Sequence, residues 1–122
     1  MIINLTSKPL RRWSYKQVSA LDDSIMMDYP FPIKEAHEFS DNASVNKAAE
    51  EIVQNIILAH PKAVVCKANS VLMFSVIYLL LKNNIKVLDI CTKTSVRSLK
   101  LGNVTQTSNY AVFVGFKEYT LP

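Results

Sequence analysis

The stretch that decides the fold is KAVVCKANSVLMFSVIYLLL, residues 62–81. Its first five residues form a short apolar run rich in valine, which is typical of a strand buried on both faces of a sheet. The polar residues KANS follow, and either Asn69 or Ser70 can cap a helix that begins directly after them. Residues 71–83 then predict a helix that is apolar almost all the way round. The stretch therefore predicts a buried strand, a polar loop and a helix in succession.

The same alternation extends to both sides of this stretch. Further strands are predicted at residues 2–5, 24–32 and 85–91, and further helices at 15–22 and about 43–59. The first helix has a capping-box pattern, Ser14 to Gln17, and the spacing of Trp13 and Val18 is that of a hydrophobic staple. Asp41 or Asn42 is the predicted cap of the second helix.

The C-terminal third departs from the alternation. Residues 92–107 are polar and basic with a single glycine, and we interpret them as a loop, followed by a fifth strand at 109–119. Alternating strands and helices indicate an α/β domain with a mostly parallel sheet of about five strands and helices on both faces. The last strand has no helix before it, so we expect it to add antiparallel at an edge.

Composition limits the possible functions. The 122 residues suit one domain spanning 1–122, and 49% of them are apolar, which is enough for one core. The formal charge of +4 permits a polyanionic partner without requiring one. The two cysteines and two histidines show no metal spacing, so we predict neither a metal nor a cofactor. The longest apolar run, 71–81, is too short to span a bilayer, and we see no signal peptide, so we expect a cytoplasmic protein without membrane contact.

A ligand site is expected at one edge of the sheet. Parallel sheets bind ligands beyond the carboxyl ends of their strands, where the strand order reverses. With the order 2-1-3-4, the reversal lies between strands one and three, and helix N-termini there favour an anion. The polar residues of the three loops at this edge are the candidate ligand-binding residues: Thr6, Ser7, Lys8, Arg11, Arg12, Lys67, Asn69, Ser70, Thr92, Lys93, Thr94 and Arg97.

Two alternatives stay open at this point. Polar loops with cations are often simply solvated. The nearly all-apolar helix at 71–83 either lies deep in the monomer or meets another subunit with its outer face. The chain contains no P-loop, no G-x-G-x-x-G and no G-x-S-x-G motif, so none of these signatures identifies the ligand.

Several segments together resemble a known group of proteins. These are INLTSKP at 3–9, WS at 13–14, YPFP at 29–32, VVCKANSVLMFSVIYLLL at 64–81 and VFVGFKEY at 112–119. Their placement resembles that of small CRISPR-associated proteins of the CARF-like, ring-nuclease kind. Relatives of this kind carry Asn-His where this chain has Ser7 and Lys8, so a role for that imidazole does not transfer.

The resemblance implies a Rossmann-like homodimer in contact through the 71–83 helix. It implies a cyclic oligoadenylate of type III CRISPR defence as ligand, bound across the two-fold axis, and no long nucleic acid. Some members cleave the ring without metal, as phosphodiesterases that use the ligand's own 2′-hydroxyl; Ser7, Lys8 and Arg11 are then the candidate catalytic residues, with Lys8 stabilising charge. Another nucleotide or phosphorylated small molecule, or a protein partner without any small ligand, are the alternatives.

Overall fold

The computed structural model describes residues 1–21 and 25–122 and has an α/β architecture. Its five strands are β1 (Ile2–Asn4), β2 (Met26–Asp28), β3 (Ala63–Val65), β4 (Val87–Leu101) and β5 (Val104–Glu118). Its three α-helices are α1 (Tyr15–Ala20), α2 (Asn42–Ala59) and α3 (Val71–Lys82). Short 3-10 turns lie at Leu10–Arg12 and Ala36–Glu38.

The five strands form one mixed sheet in the order β2-β1-β3-β4-β5. The first four strands of this order run parallel, and β5 pairs antiparallel with β4 at the edge. This confirms the predicted antiparallel C-terminal strand, and the order of the other four strands is the 2-1-3-4 assumed for the ligand site. Because the order reverses between β1 and β3, the loops that follow these two strands lie next to each other.

Side chains that alternate along the strands separate the core into two parts. Ile3, Val64 and Val87 point to one side and pack against α2 and α3 in the larger cluster. On the other side, Ile2 and Val65 belong to a smaller cluster that contains Trp13 and Leu21. The α2–α3 pair therefore covers one face, and α1 with the residues before it covers the other.

The predicted helix starts are confirmed by their capping contacts. Ser14 Oγ accepts from Gln17 N at 3.2 Å, and Gln17 Oε1 accepts from Ser14 N at 2.9 Å, which completes the capping box. Asp41 caps α2, and Ser70 caps α3 by accepting from Met73 N at 3.1 Å. Of the two candidates at each of these ends, the residue immediately before the helix is the cap.

The predicted loop over 92–107 is wrong. These residues belong to a long hairpin in which β4 continues to Leu101 and β5 begins at Val104. Gly102, with φ of +62°, occupies the first position of the two-residue turn, as a type II′ turn requires. Thr92, Lys93, Thr94 and Arg97 are therefore strand residues rather than loop residues. Because β3 ends at Val65, the hairpin extends past the sheet without a further neighbour on that side.

Smaller differences concern the ends of elements. The second strand is only three residues long, and the fourth begins at Val87 rather than at 85. The predicted last residue of α1, residue 22, and the predicted first residue of β2, residue 24, lie outside the described residues. Among the described residues, no helix has the length and apolar character needed to cross a membrane.

Candidate functional site

A cavity of about 440 Å³ lies at the carboxyl edge of the sheet, where β1 and β3 end. Its volume is in the range of small-molecule sites. The loops after three strands and the start of α3 line it: Leu5, Thr6, Ser7, Ile33, Lys34, Glu35, Lys67, Asn69, Ser70, Leu72 and Met73. Polar groups from these loops thus surround an apolar floor formed by Leu5, Leu72 and Met73.

The β1 loop is held in shape by one buried amide. Asn4 Nδ2 donates to the carbonyl of Lys8 at 2.9 Å and to Asp28 Oδ1 at 2.8 Å. Asn4 Oδ1 accepts from the backbone N of Thr6 at 3.0 Å and from its hydroxyl at 2.7 Å. Trp13 Nε1 also donates to the Lys8 carbonyl, at 3.0 Å. The hydrogen bonds of the Asn4 amide therefore stabilise a tight turn. This turn presents Thr6 and Ser7 to the cavity.

The β3 loop is held by contacts with β4 and with the residue after β5. Lys67 Nζ lies 3.5 Å from Asp89 Oδ1, and Tyr119 Oη accepts from Ala68 N at 3.3 Å. Asp89 Oδ1 is fully buried and, among the described residues, accepts no hydrogen bond of good geometry, so the Lys67 cation is what offsets its charge. Burial raises the pKa of Tyr119, and the Asp89 charge raises it further. The loop backbone is thus fixed close to the start of α3.

Cys66 lies beneath this loop and is not a nucleophile at neutral pH. Burial, with the negative charge of Asp89 adding to it, raises the pKa of its thiol to about 12. Its Sγ lies 3.5 Å from the sulfur of Met73. Cys66 is fully buried and therefore acts as a small hydrophobic residue of the core.

The charges around the cavity are close to balanced. Lys34 and Lys67 contribute two cations, and Glu35 contributes one carboxylate that also lies 3.4 Å from His37 Nδ1. At the N-terminus of α3, Ser70 caps one amide, and the N–H groups of the first turn point toward the cavity edge. The helix end adds a partial positive charge, so the cavity favours an anion modestly.

The structure brings together five of the predicted ligand-binding residues. Thr6, Ser7, Lys67, Asn69 and Ser70 line the cavity. The other seven do not line it in the described part of the chain: Lys8, Arg11, Arg12, Thr92, Lys93, Thr94 and Arg97.

The seven lie elsewhere for two reasons. Arg11 and Arg12 are exposed in a 3-10 turn that leads to Trp13 on the opposite face of the sheet. Lys93 and Arg97 stand in the hairpin beyond the edge, where Arg97 lies over the ring of Tyr110 at 5.7 Å. Of the three candidate catalytic residues, only Ser7 reaches the cavity.

Sequence reasoning missed the contribution of the segment after β2. Ile33, Lys34 and Glu35 line the cavity, although the prediction assigned no ligand contact to them. A signal was present: β2 is a neighbour of β1 in the 2-1-3-4 order, so its loop ends at the same edge. The two prolines of YPFP keep this loop extended, which carries it across to α3.

A wider cavity of about 670 Å³ adjoins the first between the same loop and α2. It shares Ile33, Lys34 and Leu72 with the edge cavity. Aromatic rings of Tyr29 and Phe31, 5.7 Å apart at their centroids, form one wall. It contains no residue of the β1 or β3 loops, so it is an extension of the candidate site rather than its centre.

Comparison of the chain with protein-family models, with curated proteins and with solved structures finds no significant match. The resemblance to CARF-like proteins therefore stays a prediction. Among residues 1–21 and 25–122, no group of three or more His, Cys, Asp or Glu side chains is arranged to hold a metal ion.

Proposed function

We propose that the protein is a Rossmann-like, CARF-like domain that binds a cyclic oligoadenylate second messenger of type III CRISPR defence at the carboxyl-edge cavity. The observation that carries the proposal is the place and lining of this cavity. It lies where a parallel sheet reverses its order, at the N-terminus of α3, with Lys67, Ser7 and Asn69 in its wall. This is the arrangement in which phosphate-bearing ligands are bound by open sheets.

A cyclic ligand fits such a site best when two cavities face each other. A ring of identical nucleotides has its own symmetry, so a two-fold axis through the ring gives both subunits equivalent contacts. The exposed side of α3, with Val71, Phe74 and Tyr78, supplies an apolar surface for the second subunit. Homodimer contact through α3 is therefore part of the proposal.

Ring cleavage is the second part of the proposal and needs no metal. The ligand's 2′-hydroxyl would attack the adjacent phosphorus and displace the 5′-oxygen, leaving a 2′,3′-cyclic phosphate and a 5′-hydroxyl. The protein would align these atoms and stabilise the charge on the phosphorane. Ser7, which lines the cavity, is the residue we propose for this role, whereas Lys8 and Arg11 do not line the cavity and would need a change of the chain after β1 to reach it.

Incubation of the purified protein with cyclic tri-, tetra- and hexa-adenylate tests both parts. A rise in melting temperature with one ring shows binding, and linear products on chromatography show cleavage. A preference for a mononucleotide would instead support another phosphorylated ligand. The absence of both a thermal shift and cleavage with every ring would contradict the proposal and favour a protein partner.

Lys67 gives a sharper test of where the ligand lies. We expect Lys67→Ala to weaken binding about tenfold or more, because a charge-assisted hydrogen bond to phosphate is lost. The matched control is Lys62→Ala, since Lys62 is exposed before β3 at the opposite edge of the sheet. Equal affinities of the two variants in calorimetric titration would place the ligand away from the β3 loop.

A further inference from the structure

The β4–β5 hairpin continues past the parallel part of the sheet as a two-stranded ribbon, residues 93–112. Among the described residues, β3 pairs with β4 only as far as Leu88, so beyond that point the outer side of β4 has no neighbouring strand. Each strand of the ribbon has nine residues, so the ribbon is roughly 30 Å long. Every residue from 96 to 111 is exposed. The ribbon therefore projects from the domain with both faces open to solvent.

The charge of this ribbon is of one sign. Residues 90–116 contain three cations, Lys93, Arg97 and Lys100, and no aspartate or glutamate. The other 11 of the 14 basic residues stand against all 10 acidic residues, so three of the four net positive charges lie on the ribbon. All three side chains are exposed, and none forms an ion pair with a described residue. The charge that permits a polyanionic partner is thus concentrated on one projecting element.

The two strands of the ribbon carry different side chains. All three cations stand on β4, whereas β5 carries a run of hydroxyl and amide side chains over residues 105–109. Arg97 lies over the ring of Tyr110 at 5.7 Å, which holds the guanidinium on the ribbon while its N–H groups stay available to an acceptor. Lysine, arginine, threonine, serine, asparagine and glutamine are the side chains that contact DNA phosphates and base edges.

We propose that the ribbon binds double-stranded DNA by lying in the major groove. This groove is about 12 Å wide and admits a two-stranded ribbon, whereas the major groove of duplex RNA is too narrow for side chains to enter. A length of roughly 30 Å is close to one turn of the duplex, about 34 Å. Single strands are bound largely by stacking of bases on aromatic rings, and the ribbon has one such ring, Tyr110, which Arg97 already covers.

The edges and the tip of the ribbon favour DNA over an acidic lipid surface. Both outer edges carry backbone N–H and C=O groups without a strand partner, which hydrocarbon cannot satisfy but phosphate oxygens and groove water can. Leu99, Leu101 and Val104, near the turn, are 53%, 61% and 66% exposed. In the groove, such apolar side chains contact the methyl groups of thymine. One partner therefore accounts for the charges, the free edges and the apolar tip.

The contact with DNA does not depend on the proposed function. The expectation of no long nucleic acid came from the resemblance, and it concerns the ligand of the carboxyl-edge cavity, which the ribbon does not line. Titration with cyclic oligoadenylates tests the cavity, and titration with DNA tests the ribbon. Either proposal can therefore fail alone.

Fluorescence anisotropy of a labelled DNA duplex of about two helical turns, titrated with the full chain, tests the contact. The ribbon variant replaces its three cations by glutamine: Lys93→Gln, Arg97→Gln and Lys100→Gln. The control variant removes the same charge from exposed positions outside the ribbon: Lys16→Gln, Lys62→Gln and Lys82→Gln. The two sets are matched further because Lys82 lies over the ring of Tyr78 at 5.5 Å, as Arg97 lies over that of Tyr110. Circular dichroism checks that both variants fold.

We expect the wild type to bind with a dissociation constant of about 1–100 μM, the range of binding that depends mainly on phosphate contacts. The ribbon variant should bind at least about tenfold more weakly, and the control variant within about threefold of the wild type. The slope of the logarithm of the binding constant against that of the salt concentration should become less negative by about 2–3 in the ribbon variant, since each lost phosphate contact contributes about 0.9.

A pair of single substitutions keeps the proposal testable if the ribbon variant fails to fold: Arg97→Glu should weaken DNA binding at least about threefold more than Lys82→Glu does. No binding of the wild type up to about 100 μM, or equal losses in the two matched variants, would overturn the proposal. Single-stranded DNA or duplex RNA bound as tightly as duplex DNA would also overturn it, as would binding to vesicles of phosphatidylcholine and phosphatidylserine in place of DNA.

Discussion

At the scale of single residues, Asn4 connects the sheet to the candidate site. Its amide is buried, with 3% exposure, at the end of β1, and it bonds to groups that come from three places in the chain. The β1 loop therefore has its shape before any ligand arrives. A preformed loop costs less conformational entropy on binding, which favours affinity.

We expect Asn4→Asp to lower the free energy of unfolding by about 1–3 kcal/mol. The substitution keeps the size and the acceptor for Thr6, but it replaces the donor with an oxygen that faces the Lys8 carbonyl and the Asp28 carboxylate. Urea denaturation measures the loss. The same change at exposed Asn46 is the control and should cost less than about 0.5 kcal/mol. Equal effects at the two positions would show that the Asn4 hydrogen bonds do not stabilise the fold.

Cys66 makes stability depend on alkaline pH. Its folded pKa of about 12 lies above the ordinary 9.0. Below pH 9 the thiol keeps its proton in both states; between 9 and 12 only the unfolded chain releases it, so stability falls as pH rises. The difference between the free energies of unfolding of the wild type and of Cys66→Ala, measured in urea between about pH 8 and about pH 11, removes the contributions of the other titrating groups. We expect the stability advantage of the wild type to shrink with pH, whereas its advantage over Val65→Ala, a buried truncation without a titrating group, stays constant.

At the scale of elements, α3 depends on its cap because its exposed side adds little stability in a monomer. We expect Ser70→Ala to cost about 1 kcal/mol in urea denaturation, since the N–H of Met73 loses its acceptor. Ser75→Ala, inside the same helix, is the control and should be neutral or slightly stabilising, because alanine is the better helix former. A loss at Ser75 as large as at Ser70 would show that serine packing, and not the cap, is responsible.

The elements that sequence reasoning predicted share strong local signals. α2 has an apolar stripe and a cap, and β3 is a valine run between polar loops, so periodicity alone identified both. The part of the β4–β5 hairpin over residues 92–107 was missed because it lacks buried partners, so the usual alternation of a half-buried strand is absent there. Two signals could have found it: threonines at every second position near 92–94 and 105–107, and Gly102-Asn103 between Leu101 and Val104, a two-residue hairpin turn.

The candidate site was predictable only in part, and for a related reason. Strand order and loop position follow from the alternation, so Thr6, Ser7 and the β3 loop were found. Which cations reach the cavity depends on the direction the chain takes after each strand. Arg11 and Arg12 lie away from the cavity because the next residue, Trp13, packs against Phe116. This contact joins segments that are far apart in the chain, so the local sequence pattern does not predict it.

At the scale of the whole molecule, the chain consists of a core domain and the outer part of the β4–β5 hairpin, residues 95–110. From Ser95 to Tyr110, no residue belongs to either core cluster in the described structure. Deleting residues 96–101 and 104–109 joins Ser95 through Gly102-Asn103 to Tyr110, its present partner across the hairpin, and removes an even number of residues from each strand, so both the register and the hydrogen-bonding type of the pair next to the turn are kept. The shortened chain should therefore fold as the wild-type core does.

We expect the free energy of unfolding of this shortened chain, measured in urea, to lie within about 0.5 kcal/mol of that of the full-length chain. The reason is that burial, and not chain length, supplies the stability of a domain, and the deleted residues bury almost nothing in one copy. Two-state curves with the same midpoint, followed by circular dichroism, are the expected result. A loss of several kcal/mol would mean that the deleted hairpin residues pack on the domain of their own chain.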